Sequence, residues 1–238
     1  MSDFYPLISV IIPTLNERDS LPLSVAAISG AGEIIIADGG SDDGTHEWVQ
    51  AQPTLHLVDA VRGRGNQLAA GAKAATGEIL LFLHADCVLP PGALALIRRT
   101  LADERIAGGC FSVCFAETDS LSLAATSWAI NLHSRLTRTA TGDQAIFVRR
   151  GAYQKAGGFP DWPLFEDVRF IEKLRRLGKF AVLPNTITIS ARRWQTLGAA
   201  RTNTLMICLW IGYRLGISPA ALKRRFVDVR HTPKGALP

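Results

Sequence analysis

The sequence predicts an α/β protein with a mostly parallel central sheet and helices on both of its faces. Three observations carry this. Short runs that are apolar on both sides recur through the first 86 residues, the pattern of strands covered on two faces rather than one. Stretches of helix length, roughly ten residues each, separate them, which is the spacing of crossovers between parallel strands. The runs also end in polar or glycine-rich residues, and in such sheets ligands bind beyond the carboxyl ends of the strands.

The first strand is ISVIIP (8–13), ended by Pro13 and Asn16, and a helix follows from Ser20, a candidate N-cap, to Ser29. EIIIAD (33–38) is the second strand, and GGSDDGT then turns the chain into a helix carrying Trp48 and Val49. LHLVDA (55–60) is the third, followed by GRGNQ and an alanine-rich helix to Ala75; EILLFLHAD (78–86) is the fourth. Pro90 and Pro91 are placed to end one loop and begin the next helix.

The second half is less regular. IAGGCFSVCF (106–115) reads as a strand, Leu121 to Leu136 as a helix, DQAIFVRR (143–150) as an alternating strand and Phe165 to Leu177 as an amphipathic helix. FAVLP and TITIS read as two short strands leading to ARRW and a C-terminal helix. This half is expected to pack on the ligand edge of the sheet and shape the pocket of a second substrate.

Composition narrows the function classes. With 47% hydrophobic and 20% charged residues in 238, the chain can build a core and is not a disordered segment. A net charge of +5 favours anionic partners without demanding nucleic acid. No basic run with interleaved aromatics appears, so a nucleic-acid groove is not expected. Cys87, Cys110, Cys114 and Cys208 form no CxxC pair and are expected to be reduced core thiols of a cytoplasmic protein. MSDFYPLISVIIP has no basic leader and no small-residue cleavage site, so no signal peptide is expected. In TNTLMICLWIGYRLGIS (202–218) the uninterrupted apolar part, Leu205 to Tyr213, is far shorter than the roughly 20 residues that span a bilayer. With Lys223, Arg224 and Arg225 close behind, this segment is read either as a helix lying on a membrane surface through residues 202–225 or as one packed on the domain.

Two decoys fall away. GRGNQL begins like a dinucleotide fingerprint, but Leu68 stands where the third glycine belongs. Neither GxxxxGK[ST] nor GxSxG occurs, which removes a P-loop and the usual hydrolase elbow. What remains is the set of polar side chains at the strand ends. Asp38 can accept a hydrogen bond from a base or ribose, or cap the following turn; Glu17 and Arg64 are each either ligand contacts or solvated loop charges. His84 and Asp86, two residues apart after the fourth strand, sit where a pair of carboxylates would grip a cation.

The ordered set VIIPTLNE, IIIADGGSDDGT, GRGNQLAAGAKAATGEILLFLHAD and GDQAIFVRR…GGFPDWPLFEDVRF resembles the family 2 inverting glycosyltransferases, over roughly residues 7–195. Its tight form resembles a small bacterial subgroup associated with radical-SAM and selenium-domain proteins. The resemblance implies the nucleotide-diphosphosugar transferase (GT-A) fold with a C-terminal helical extension. It implies a domain over 1–196, with a nucleotide-binding half (1–86) and an acceptor half (87–196), followed by a helix and basic tail over 197–238. It implies nucleotide contacts from Thr14, Asn16, Glu17, Asp38 and Arg64, and a Mg²⁺ or Mn²⁺ held by Asp86, the last acid of an altered D-x-D motif. His84 replaces the first acid; a ribose contact leads, with metal ligation and a purely structural strand end as alternatives. Asp167, in Glu166–Asp167, matches the general base, and Gly142, Asp143 and Gln144 a sugar and acceptor segment, with Glu166 expected in the same pocket. Arg192, Arg193 and Trp194 fall where a loop closes over the diphosphate.

The reaction implied is transfer of a sugar from a nucleotide-diphosphosugar, UDP-linked first and GDP-linked second, to an acceptor the sequence does not name. Two other readings stay open: a catalytically silent nucleotide-sugar-binding protein, and a sugar-phosphate nucleotidyltransferase. The latter lacks its glycine-rich G-G-x-G-T-R loop here, where the chain has Thr14–Leu15–Asn16–Glu17.

Overall fold

A computed structural model describes residues 6–116 and 120–226. The basic tail beyond Phe226 and the first five residues lie outside the described residues. Seven strands form one sheet in the order β3-β2-β1-β4-β6-β5-β7: β1 (Ile8–Thr14), β2 (Glu33–Asp38), β3 (Leu55–Asp59), β4 (Ile79–Phe82), β5 (Ile106–Phe115), β6 (Ile146–Arg149) and β7 (Lys179–Ile189). The first four are mutually parallel; β6 runs antiparallel to both β4 and β5, and β5 pairs parallel with β7. Between them lie α1 (Leu21–Ala26), α2 (Thr45–Gln50), α3 (Arg64–Ala74), α4 (Ala93–Thr100), α5 (Leu121–Thr137), α6 (Arg150–Lys155) and α7 (Glu166–Leu174). The chain then continues as α8 (Arg192–Leu197), α9 (Ala199–Arg214) and α10 (Pro219–Lys223).

Alternation along the strands explains the two layers. Ile8, Val10 and Ile12 of β1 join a core on one side of the sheet with Ile36, Leu81, Phe111 and Phe147. Ile11 turns the other way, with Ile35, Leu80 and Phe82, and meets Leu68 and Ala72 of α3. At roughly 1.5–3 kcal/mol for each fully buried aliphatic or aromatic side chain, these two cores dominate the stabilisation. Gly71 lets α3 lie close on β1: a Cβ there would stand 2.4 Å from Ile11 Cγ2.

Several sequence boundaries shift for physical reasons. β1 continues past Pro13 to Thr14, although β1 is a central strand. Ile11 O accepts from Leu83 N on the β4 side, and Thr14 O accepts from Gly39 N on the β2 side. Pro13, two residues after Ile11, therefore turns its donorless nitrogen toward β4 just where that ladder has ended. β4 stops at Phe82, so Leu83 to Asp86 form a loop rather than the end of a strand. FAVLP and TITIS are not two strands but one edge strand, β7, with a bulge. Phe111 pairs with Leu183 and Ser112 with Thr186, so Pro184 and Asn185 are extruded where proline cannot donate to the ladder. The strand expected over 143–150 is only Ile146–Arg149; Gly142–Gln144 is a 3₁₀ turn. Ser20 sits at the N-cap of α1 but makes no capping bond with its side chain.

α9 packs on its own domain through one side only. Leu209 and, from α10, Leu222 join Leu164, Phe165 and Val168 in a separate apolar cluster. The expectation of four core thiols is corrected: Cys87 and Cys110 are buried, but Cys114 is half-buried and Cys208 is exposed on α9, and all four are free.

Candidate active site at the strand ends

The carboxyl ends of β1 and β2 are laced together by side chains. Thr14 Oγ1 donates to Asp38 Oδ1 (2.9 Å), as does Ser41 Oγ (2.6 Å), while Gly40 N and Ser41 N donate to Asp38 Oδ2 (3.0 and 2.9 Å). Each carboxylate oxygen thus accepts two bonds and its capacity is filled. Asn16, in the left-handed region at φ 57°, exchanges two hydrogen bonds with Asp42: its Nδ2 donates to Oδ1 (2.7 Å) and its Oδ1 accepts from Asp42 N (2.9 Å). Gln67 Nε2, from the first turns of α3, donates to Thr14 O and Ala37 O, at 2.5 and 3.1 Å. Thr14, Asn16 and Asp38 are therefore occupied in building the loop, and none of the three lines the adjoining cleft. Asp38 in particular braces the β2 turn through all four of these bonds.

The cleft has a volume of about 1180 Å³. Glu17, Arg64, His84, Asp86, Asp143 and Asp167 all face it, together with Gly142, Gln144 and the Arg192–Arg193–Trp194 segment. Glu166 does not line it and is only 1% exposed.

Asp167 is held tightly. Its Oδ2 accepts from Gly142 N at 2.6 Å and from Arg64 Nη2 at 3.3 Å, and its Oδ1 from Val168 N at 2.7 Å. Arg64 Nε donates to Glu166, so one guanidinium bridges both acids of the pair. Burial pushes the Asp167 carboxyl up to about 6; Arg64 pulls against that and Glu166 adds to it. Burial also opposes the charge on Arg64, but Glu166 and Asp167 outweigh it and raise the guanidinium's pKa. Gly142 is where the site closes: a Cβ on it would lie 2.7 Å from His84 Nε2 and 3.4 Å from Asp167 Oδ2. Its residue type is set by close approach, not by backbone angle. Asp143 is likewise raised by burial, offset by the Thr141 hydroxyl and by Arg64. Gln144 is mainly a brace, accepting from Ser134 Oγ (3.0 Å) and donating to Phe111 O (3.2 Å).

Asp86 meets a cation already. Arg192 Nη2 lies 3.5 Å from Asp86 Oδ2 and 3.1 Å from Glu17 Oε2. His84, Asp86 and Cys87 bring one ligand atom each within 4.8 Å of one another, and these three could hold a metal ion. Only the carboxylate suits a hard divalent cation, which takes oxygen ligands and fills its remaining positions from water and substrate phosphates. The Cys87 thiol, a soft ligand, is pushed well up by burial, helped by Asp86 and Asp143.

Trp194 anchors the segment that carries Arg192. Its ring packs edge-on against Phe115 at 4.7 Å, and its Nε1 donates to Asn203 Oδ1 (2.9 Å), whose Nδ2 donates to Thr126 Oγ1 (2.8 Å). Arg193 stacks over Phe226, 4.2 Å from its centroid. Sequence reasoning missed Gln67, which only its place in the first turns of α3 could have flagged. The second half was expected to shape the pocket, but no residue of the walls supplied by α5 and α9 was named.

This sheet order, with acids gathered at one set of strand ends, is that of the GT-A glycosyltransferase fold. The chain belongs to glycosyl transferase family 2, whose profile matches residues 9–159. It is 28% identical over 163 residues to undecaprenyl-phosphate 4-deoxy-4-formamido-L-arabinose transferase of Yersinia enterocolitica, covering 62% of this chain and 49% of that one. The chain thus spans about half the length of that relative. Among solved structures it resembles the mannosyltransferase PcManGT of Pyrobaculum calidifontis, in complex with GDP-Man and Mn²⁺ (TM-score 0.64, 21% identity, 94% of this chain and 68% of that one). It also resembles TarS of S. aureus (TM-score 0.61, 16% identity, 92% and 42%).

Proposed function

We propose that this chain transfers a sugar, with inversion, from a nucleotide-diphosphosugar to an acceptor hydroxyl, with Asp167 as the general base. The observation that carries the reading is the meeting of Asp167 and Asp86 on one cleft, each with its own arginine. Asp167 is raised by burial toward neutrality, the range in which a carboxylate both stays ionised at working pH and accepts a proton. Gly142 N and Arg64 hold its Oδ2, while its Oδ1 accepts only from Val168 N and keeps a lone pair for the proton. It takes the proton of the acceptor hydroxyl as that oxygen attacks the anomeric carbon from the side opposite the departing diphosphate.

Asp86 is the residue suited to hold Mg²⁺ or Mn²⁺, which when bound supplies positive charge to the departing diphosphate. Arg192, poised between Asp86 and Glu17, is placed to add a second positive charge to the same phosphates. His84, packed against Gly142, is assigned to the ribose side of the donor, with Glu17 near it. Gly142, Asp143, Gln144, Arg193 and Trp194 form the sugar and acceptor wall. The likeness to the subgroup associated with radical-SAM and selenium-domain proteins belongs to the same proposal.

A thermal-shift screen of UDP-, GDP-, dTDP- and CDP-sugars, each with and without Mn²⁺, tests donor and metal together. UDP-sugars are the first donors to try; the fold neighbour with GDP-Man makes GDP-sugars the second. The expected outcome is a shift confined to one nucleotide that grows with metal and is abolished by Asp86→Asn. Full turnover in EDTA would remove the metal from the proposal.

A further inference from the structure

Helices α5 and α9 break the rule that a helix buries its apolar stripe and wets the other side. α5 buries only Leu123, Thr126 and Ser134. Its exposed positions include Leu121, Trp128, Leu132 and Leu136, which are 87%, 66%, 38% and 75% accessible. Their spacing of seven, four and four residues puts them on one stripe. On α9, Ile207, Ile211 and Leu215 recur every four residues and are 60%, 52% and 77% accessible. The helices are neighbours, joined by Asn203–Thr126 and by the ring of His133 against Trp210 at 5.0 Å. Single exposed apolar side chains are ordinary, but seven on two adjacent helices make a patch that needs a partner.

Charge says which partner. Neither α5 nor α9 contains Asp or Glu. From Lys173 to Val227 the sequence carries eleven Lys and Arg side chains and no acid, whereas residues 1–172 hold twenty acids against thirteen. Arg135 and Arg138 stand exposed at the end of α5, Arg201 and Arg214 at the two ends of α9, and Arg224 and Arg225 after α10. A twofold contact between copies of this face would set these cations against themselves. An apolar stripe with tryptophan, rimmed by arginines and with no carboxylate on either helix, matches the hydrocarbon boundary and anionic headgroups of a bilayer surface.

We propose that the α5–α9 face docks on an anionic lipid bilayer and that the acceptor is a lipid drawn from it. The cleft gives the second half of the inference. It is lined by Ala129 and Ile130 of α5 and by Met206 and Ile207 of α9 as well as by Asp86 and Asp167. A lipid head reaches the acids along this cleft while its chain stays on the apolar stripes. Membrane contact thus involves both helices rather than the C-terminal one alone. No helix among the described residues is long and apolar enough to cross a membrane, so docking is lateral. The choice of acceptor rests on the transfer reaction proposed above; the docking does not.

The test is co-sedimentation of the full chain with vesicles of phosphatidylcholine alone and of phosphatidylcholine with phosphatidylglycerol, at low and high salt. Binding is expected to the anionic vesicles, to weaken as salt screens the arginines, and to shift tryptophan emission to the blue. Trp128→Glu, Leu136→Glu and Leu215→Glu replace exposed side chains that do not line the cleft. Each should weaken binding by about tenfold or more, the loss expected from transferring such a side chain back to water. Their unfolding midpoints and donor-induced thermal shifts should stay unchanged. No sedimentation with either vesicle, or undiminished binding by all three variants, would overturn the proposal. So would a dimer in solution that the same substitutions dissolve. Vesicle binding without any donor shift would instead count against the transfer reading and leave the docking face standing.

Discussion

The two regions that flank the cleft are built on opposite principles. At the ends of β1 and β2 nearly every polar side chain is spent: Asp38 takes four hydrogen bonds, Asn16 three with Ser41 and Asp42, and Gln67 two. Across the cleft, α5 and α9 leave leucine, isoleucine and tryptophan side chains open to solvent. One side is a finished surface that already has its shape; the other lacks a partner. A donor whose phosphates and ribose must be positioned to within an ångström needs the first kind of wall. An acceptor that slides in along a hydrocarbon chain needs the second.

The sharpest way to break the comparison is at the acid that joins the two walls. Asp167→Asn should lower turnover by about 10²–10⁴-fold while donor binding is retained; wild-type turnover would exclude Asp167 as the base. Its raised pKa gives a matching pH dependence. A carboxyl that holds its proton up to about 6 cannot accept another below that pH, so kcat/KM should fall with acidification through about 6. The Asn variant should lose that limb.

A smaller effect tests the rigid wall. A Cβ at Gly65 would lie 2.6 Å from the carbonyl oxygen of Pro160, a backbone atom that cannot swing aside. Gly65→Ala should cost about 1–3 kcal/mol of stability, as overpacking does, read as a lower unfolding midpoint. Because it shifts the start of α3, it should also draw Arg64 away from Glu166 and Asp167 and reduce kcat more than donor affinity.

The smallest effect probes the hinge between the walls. Asn203→Ala removes the link from Trp194 to Thr126 and should cost about 1 kcal/mol. If the α8 segment positions Arg192 over the donor, the variant should raise the donor KM several-fold with the vesicle-binding face intact. An unchanged KM would confine Trp194 to a packing role.

Parallel strands and their polar ends were legible because both signals are local: a run apolar on two sides, then a turn. That is why Asp86 was singled out and why the first four strands fall close to their expected places, whereas Asp167 was singled out only through the resemblance to the family. The misreadings share a cause as well. The four bonds on Asp38 were not legible because its local sequence shows capping groups after it, but not Thr14 arriving from another strand. FAVLP and TITIS looked like two strands because Pro184 interrupts the alternation, and only pairing with β5 shows the break to be a bulge. Arg64 was read as a nucleotide contact or a solvated loop charge, and its partners, 102 and 103 residues away, were out of reach of a local reading.

By itself, the sequence determined the alternation of strands and helices, the positions of the acids, and the family they belong to, since each depends on residues within one turn or one strand of each other. The tertiary structure alone decided which acid is saturated and which is open. It set Arg64 on Asp167, brought Arg192 across 175 residues to Glu17, and left the stripes of α5 and α9 uncovered. Those outcomes depend on which distant segment arrives at a given surface. Strand pairing and packing settle that, and a short stretch of sequence does not encode it.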